Sequence, residues 1–175
     1  MDKSQYEAMM HTEDGHWWFR GRRKVISRFV QGLKLPANAR ILEVGCGGGG
    51  NLSMLSAYAG ELKAVEPNDV LREHATGRAI CEVQPGTLPD GVPYGDEKFD
   101  LICMFDVLEH VENDAAAISA LRDRLAPEGR LLLTVPASPS LWSHHDVENR
   151  HFRRYTRGAL TALLSSRGLA TVRVS

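Results

Sequence analysis

The residues best placed to do chemistry are the glycines that end the apolar segment ILEVGCGGGGN, residues 41–51. Gly45, Gly47 and Gly50 match the G-x-G-x-x-G pattern of dinucleotide-binding loops. Gly45, Gly47 and Gly49 equally match G-x-G-x-G, so the glycines by themselves leave the ligand open. Either pattern lets a nucleotide-like ligand lie against bare backbone at the start of a helix.

Glu43 separates the two ligand classes by its charge. It precedes Gly45 by two residues on the same predicted strand, close to where a pyrophosphate would meet the helix start. Two unit charges about 4 Å apart interact by roughly 4 kcal/mol at an effective dielectric constant of 20. A carboxylate therefore disfavours a dinucleotide and favours a nucleoside with a cationic end, such as S-adenosylmethionine. Glu66, which ends the second predicted strand, is spaced to accept hydrogen bonds from the ribose that both ligands carry.

A second group of reactive side chains lies in the long loop after the fifth predicted strand. Histidine is the commonest general base, and we predict His145 or His144 in that role if the acceptor must lose a proton. Trp142, Arg154 and Tyr155 are predicted to contact the substrate, the arginine through a carboxylate or phosphate group. The alternative is that these histidines only form hydrogen bonds within the loop and that the arginines pair with nearby acids.

No metal site is predicted from the sequence. His145, Asp146 and His151 offer ligand atoms, but they lack the two-histidine helical spacing of a metal-binding motif. His110, in the segment LEHV, is expected to cap or pack within a helix after the fourth strand.

Alternating strands and helices must position these residues. Strands are predicted at RILEV, LKAVE, AICEV, FDLICMF, RLLLTVP and LATVRVS. Short apolar strands separated by helices predict an α/β, Rossmann-like, doubly wound and mostly parallel sheet with helices on both faces. The helix before the fifth strand is predicted to start at the caps Asn113 and Asp114 and to stop at Pro127 and Gly129. In such sheets ligands bind beyond the carboxyl ends of the strands, where the glycine loop and Glu66 lie.

The segment ahead of the sheet is predicted to be helical, because Val25, Ile26, Phe29, Val30 and Leu33 recur at helical spacing. We expect residues 1–39 to form an N-terminal helical lid or cap and residues 40–175 to form the cofactor-binding domain. A lid excludes water from the site. Aromatic and basic residues suited to this role are Trp17, Trp18, Phe19, Arg20, Arg22 and Arg23, of which Trp17 and Arg20 are the predicted cofactor contacts.

Four segments resemble, in order and spacing, the class I S-adenosylmethionine-dependent methyltransferases of the small type 11/12 domain group. They are ILEVGCGGGG, AVEPND, GTLPDGVPYGDEKFDLICMFDVLEHVEND and LAPEGRLLLTVP. The resemblance implies in-line methyl transfer from S-adenosylmethionine to O, N or C of a small-molecule acceptor, with S-adenosylhomocysteine as the product. The cofactor-binding residues that it implies are Glu43 with the backbone of Gly45, Cys46, Gly47 and Gly49 for the methionine moiety, Glu66 for the ribose, Pro67, Asn68, Thr87 and Leu88 for the adenine, and Phe105 and Asp106 near the sulfonium.

The sheet of that family has seven strands, whereas six are counted here. The last family strand is missing from this count, which would leave an exposed sheet edge. We therefore expect the sequence to be a C-terminally truncated piece of a longer protein. Two other functions remain open from the residues alone: a nicotinamide-dependent oxidoreductase and a non-catalytic cofactor-binding module.

Composition sets the broad class of the protein. The 175 residues are 43% hydrophobic and 25% charged, which is typical of one globular domain. A net charge of -1 disfavours a nucleic-acid partner, and acids in the N-terminal segment disfavour contact with a membrane surface. Cys46, Cys81 and Cys103 are widely spaced and are expected to be reduced thiols. Because no signal peptide or bilayer-length apolar segment is found, a cytoplasmic location is predicted.

Overall fold

A computed structural model of the chain describes residues 15–174. Five strands form one sheet in the order β3-β2-β1-β4-β5, and every neighbouring pair is parallel. The order reverses between β1 and β4, so the topological switch point lies at the carboxyl ends of these two strands. The predicted Rossmann-like α/β fold is confirmed. The strands are β1 (Arg40–Val44), β2 (Glu61–Val65), β3 (Glu82–Gln84), β4 (Phe99–Phe105) and β5 (Leu125–Thr134).

Six helices connect or flank these strands in the described part of the chain, together with 3₁₀ turns at Leu108–His110 and Pro139–Leu141. Asn68, Asn113 and Thr156 each precede a helix and accept a hydrogen bond from a backbone N–H of its first turn, which fixes three helix starts. The helices are α1 (Trp17–Gly32), α2 (Leu52–Ser56), α3 (Asp69–Gly77), α4 (Asp114–Arg122), α5 (His144–Glu148) and α6 (Arg157–Ser166).

The alternation of side chains along the two central strands creates a core on each face of the sheet. Leu42 and Ile102 are fully buried in one cluster with Ile118 of α4. Their neighbours Ile41 and Leu101 are buried in the other cluster, with Ile26 and Val30 of α1. Successive residues of a strand point to opposite faces, so helices cover both faces as predicted.

The helix before β5 is shorter than predicted. It was expected to run to Gly129, but α4 ends at Arg122 and β5 already begins at Leu125. Leu125 pairs with Phe99, and the register then shifts before Arg130 pairs with Leu101. The residues Pro127 to Gly129 are therefore an irregularity within the strand rather than a helix stop. A side chain on Gly129 would meet the carbonyl oxygen of Phe99.

The predicted sixth strand, LATVRVS, is not formed by residues 169–174, and residue 175 lies outside the described range. A strand exists only with a neighbour that satisfies its backbone N–H and C=O groups. No described strand pairs with this segment. The N-terminal helix begins at Trp17, and the part of its prediction that covers residues 6–14 lies outside the described residues.

Among the described helices, none combines the length and the apolar character needed to cross a bilayer. The cytoplasmic location stays a prediction.

Candidate active site

The glycine loop leaves β1 in a conformation that favours glycine. Gly45, Gly47 and Gly49 have φ values of 73°, 57° and 83°, in the left-handed region. The N–H groups of Gly45 and Cys46 both donate to the carbonyl of Val65, at 2.8 and 3.1 Å, so the loop folds over the end of β2. A Cβ atom on Gly45 would overlap Val107 Cγ2.

Two buried carboxylates flank this loop. Glu43 is 1% exposed, and its Oε1 accepts a hydrogen bond from Asn51 Nδ2 at 3.0 Å. Glu66 is 5% exposed, and its two oxygens accept from the N–H groups of Gly47 (2.8 Å) and Asn68 (2.9 Å). Burial raises the pKa of Glu66 above its usual range. Carboxylates here suit hydroxyl donors or a cation and oppose a pyrophosphate.

The residues predicted beside the adenine lie in two adjacent loops. Pro67 is exposed. The side chain of Asn68 caps the start of α3, where its Oδ1 accepts a hydrogen bond from Leu71 N at 3.1 Å. Thr87 starts a turn closed by hydrogen bonds with Gly91 at 3.2 and 2.9 Å, and the half-buried Leu88 follows it. A Cβ on the preceding Gly86 would come 2.8 Å from Val65 Cγ1, which places this turn against the end of β2.

The end of β4 is linked to β5 and to α1. The N–H of Asp106 donates to the carbonyl of Thr134 at 3.0 Å, and Thr134 Oγ1 donates to Asp106 Oδ1 at 2.8 Å. Arg22 of α1 reaches both side chains, with Nη2 at 2.6 Å from Asp106 Oδ2 and 2.9 Å from Thr134 Oγ1. Its guanidinium carbon lies 6.0 Å from the centroid of the Phe105 ring.

Arg22 therefore lies at the end of β4, whereas the two lid residues chosen from sequence are exposed, and their role as cofactor contacts stays a prediction. Trp17 is 75% exposed and Arg20 is also exposed. The sequence carried a usable signal, because Arg22 lies four residues before Ile26 and eight before Val30, on the buried face of α1.

A third group of titratable side chains lies after β4, and the sequence analysis did not predict that they come together. Glu109 is 1% exposed, and its Oε2 has no hydrogen-bond partner among residues 15–174. Burial, aided by the nearby carboxylates of Asp106 and Asp146, raises the pKa of Glu109 to about 8. A buried acceptor without a partner costs about 1–3 kcal/mol.

Two histidines adjoin this carboxyl group. His110 was expected to cap or pack within a helix, but it is the exposed last residue of the 3₁₀ turn Leu108–His110, whose other two residues are buried. Its ring lies edge-on to that of His151, with the centroids 4.6 Å apart. Partial desolvation of the ring by the atoms packed around it, together with the neighbouring His151, lowers the pKa of His110. The N–H of Phe152 donates to the Glu109 carbonyl at 2.7 Å, which ties the loop of residues 137–156 to this turn.

Asp146 organises that 137–156 loop from a fully buried position. Arg154 binds both of its oxygens, through Nε at 2.8 Å and Nη2 at 2.9 Å. Ser143 N donates to Oδ2 at 2.8 Å, and His151 Nδ1 lies 2.9 Å from Oδ1. The hydrogen bonds from Arg154 hold the pKa of Asp146 well below its usual range.

The residues predicted for catalysis and substrate binding all lie in the 137–156 loop, but in different surroundings. His144 is 84% exposed and 3.4 Å from Glu148, and His145 is exposed beside Asn149. Tyr155 is buried, and its hydroxyl donates to Asp114 Oδ2 at 2.9 Å. The sequence-predicted roles of these residues, and of the exposed Trp142 and the paired Arg154, stay predictions.

Comparison with known proteins decides the family. Residues 16–174 match the family model described as Methyltransferase domain. The chain belongs to this family. It is a class I S-adenosylmethionine-dependent methyltransferase domain, so the cofactor is S-adenosylmethionine and the nicotinamide alternative is not supported.

Several relatives share the sequence or the fold of this methyltransferase domain. A ubiquinone biosynthesis O-methyltransferase of Haemophilus ducreyi is 30% identical over 151 residues, which cover 75% of this chain and 61% of that protein. The YcgJ structure from Bacillus subtilis superimposes with a TM-score of 0.71 at 23% identity, over 81% of this chain and 66% of that one. The structure of CalS10, an amino pentose methyltransferase from Micromonospora echinaspora with S-adenosylmethionine bound, gives 0.65 at 22% identity, over 82% and 61%.

The chain spans about half to three fifths of the length of the curated relatives that it matches first, namely 52% of a Staphylococcus carnosus methyltransferase and 61% of the Haemophilus ducreyi enzyme.

Proposed function

We propose that this domain transfers the methyl group of S-adenosylmethionine to a small-molecule acceptor by in-line displacement. The observation that carries the proposal is the pair of buried carboxylates, Glu43 and Glu66, on either side of a glycine loop at the sheet's switch point. The loop backbone and Glu43 suit the charged methionine end of the cofactor. Glu66 suits the ribose hydroxyls, because an ionised carboxylate keeps acceptor positions beyond its two present hydrogen bonds.

The end of β4 suits the sulfonium side of the cofactor. Phe105 offers an aromatic face and Asp106 a carboxylate, both of which attract a cation. The sulfonium leaves as a neutral thioether, so the protein has mainly to align the acceptor with the methyl group and exclude water. We propose residues 1–39 as the lid of this site, which the contact of Arg22 with Asp106 and Thr134 supports.

A small-molecule acceptor is proposed because two of the relatives are named for ubiquinone biosynthesis and for an amino pentose. If a base is needed, His145 or His144 remains our candidate from the sequence. Their exposure means that closure of the 137–156 loop over an acceptor would have to bring either imidazole into the site.

The test measures S-adenosylhomocysteine formation from S-adenosylmethionine with a panel of quinols, catechols and amino sugars. We expect turnover with at least one class and micromolar or tighter binding of S-adenosylhomocysteine by calorimetry. A folded sample that does not bind S-adenosylhomocysteine would overturn the proposal. Binding without turnover on any acceptor would instead favour a non-catalytic cofactor-binding module.

A further inference from the structure

We propose that Glu109, His110 and His151 form a binding site for a divalent transition-metal ion such as Zn²⁺. Each side chain offers one ligand atom, and the three atoms lie within 4.8 Å of one another. Glu109 and His110 come from the turn after β4, whereas His151 comes from the 137–156 loop. Two imidazoles and one carboxylate are a common ligand set of catalytic zinc sites.

The carboxylate of Glu109 is the first observation that points to a ligand. Its residue is 1% exposed, and Oε2 has no hydrogen-bond partner in the described part of the chain. A buried carboxyl oxygen without a partner is accounted for if the group binds a cation, because buried charges in proteins are paired with another charge or coordinate a metal. Two histidines lie with Glu109 in the cluster, and a ring nitrogen of each can share a bound cation with its carboxylate.

The surroundings of the histidines are those of metal ligands. His151 directs Nδ1 to Asp146 at 2.9 Å, which leaves Nε2 for an ion. Asp146 is itself fixed by Arg154 and Ser143, so the orientation of the imidazole ring is fixed as well. The ring of His110 lies edge-on to that of His151, with the centroids 4.6 Å apart. A histidine that binds a metal almost always donates its other ring N–H to a carboxylate or carbonyl.

The three ligand atoms would have to move only a short distance to bind one ion. Ligand atoms at 2.0–2.2 Å from a tetrahedral zinc ion are about 3.3–3.6 Å apart, so atoms that lie within 4.8 Å of one another need to move by less than about 1 Å each. His110 is exposed, which gives the ion a path from solvent. Three protein ligands leave a fourth position open for water or an acceptor atom.

The place of the cluster connects it with the proposed methyl transfer, and this step rests on that function. Glu109 follows Asp106 by three residues, in the turn that leaves the carboxyl end of β4. If an ion were held by these residues, a coordinated acceptor hydroxyl would have a lower pKa and would release its proton to solvent. Its oxygen would then bond to the methyl carbon while the C–S bond of the sulfonium breaks, and S-adenosylhomocysteine would leave as the neutral thioether. We infer that the acceptor carries a hydroxyl group able to coordinate the ion.

The test is a titration of the chelator-treated, full chain with Co²⁺, followed by visible absorption and by calorimetry. One equivalent should bind, and His110→Gln, His151→Gln and Glu109→Gln should each weaken binding at least tenfold. His145→Gln is the matched control, because this exposed histidine of the same loop lies outside the cluster, and it should leave Co²⁺ affinity unchanged.

Circular dichroism checks that each variant is folded. His110 is exposed, so its variant remains informative even if the buried Glu109 cannot be replaced. The metal site would be overturned if the full chain showed no saturable Co²⁺ binding. It would also be overturned if His110→Gln and His151→Gln bound Co²⁺ as tightly as the unsubstituted chain does. The titration uses neither cofactor nor acceptor, so its failure is distinguishable from failure of the proposed methyl transfer, which binding of S-adenosylhomocysteine reports.

Discussion

At the scale of single residues, Glu43 offers the most direct test of how the cofactor is bound. We expect Glu43→Gln to weaken S-adenosylhomocysteine binding by about 1.5–3 kcal/mol, because a charge-assisted contact becomes a neutral one. Calorimetry measures the dissociation constant directly. Glu73→Gln on α3 is the control, since Glu73 is an exposed acid and should change nothing. An unchanged constant in Glu43→Gln would remove this carboxylate from the site.

Gly45 and Gly95 together separate the cost of left-handed backbone from the cost of a steric overlap. Gly95 also has a positive φ, of 52°, but an added Cβ would meet nothing within 4 Å, whereas at Gly45 it would overlap Val107. Gly95→Ala should therefore lower the free energy of unfolding by about 1–2 kcal/mol, the cost of left-handed backbone. Gly45→Ala should lower the free energy of unfolding by clearly more, as measured by urea denaturation. Equal losses would mean that Val107 moves aside without cost.

At the scale of elements, the 137–156 loop is held by one buried acid. Asp146→Asn would remove the charge that binds Arg154 twice and fixes Ser143 and His151. We expect a lower unfolding temperature and faster tryptic cleavage within the loop. Glu148→Gln, on the same helix but facing the exposed His144, should have little effect because exposed pairs contribute little. Similar cleavage rates in the two variants would contradict the role assigned to Asp146.

The elements also show which features the sequence could predict. β1 and β4 begin and end where expected, because each is a short apolar run buried on both faces of the sheet. The end of α4 was wrong because Pro127 and Gly129 act equally as helix stops and as a strand irregularity. Only the pairing of Phe99 with Leu125 selects the second.

The candidate site likewise has a part that the sequence could predict and a part that it could not. Glu43, the glycines and Glu66 lie in local motifs at strand ends, so their convergence followed from the fold class. Glu109 and His151 are far apart in sequence and meet only because the loop returns to the turn after β4 through Phe152. No periodicity in the sequence encodes that contact. Arg22 was one of several adjacent arginines until the buried face of α1 distinguished it.

At the scale of the whole molecule, the charges are distributed unevenly around a net value of -1. Glu43, Glu66 and Glu109 are all buried at the carboxyl ends of the central strands or in the turn that follows. A ligand with a cationic end would offset the cost of burying these carboxylates, whereas an anionic ligand would add to it. The same arrangement should therefore make stability depend on which ligand is present.

Thermal unfolding tests this dependence for the whole domain. S-adenosylhomocysteine at 100 times its dissociation constant should add about 2.7 kcal/mol to the free energy of unfolding. For a domain of this size that is an increase in unfolding temperature of roughly 5–11 °C. NADH at the same concentration should give no increase, because its pyrophosphate would meet Glu43 at the glycine loop. A larger increase with NADH would contradict the electrostatic argument, even though the fold and family would stand.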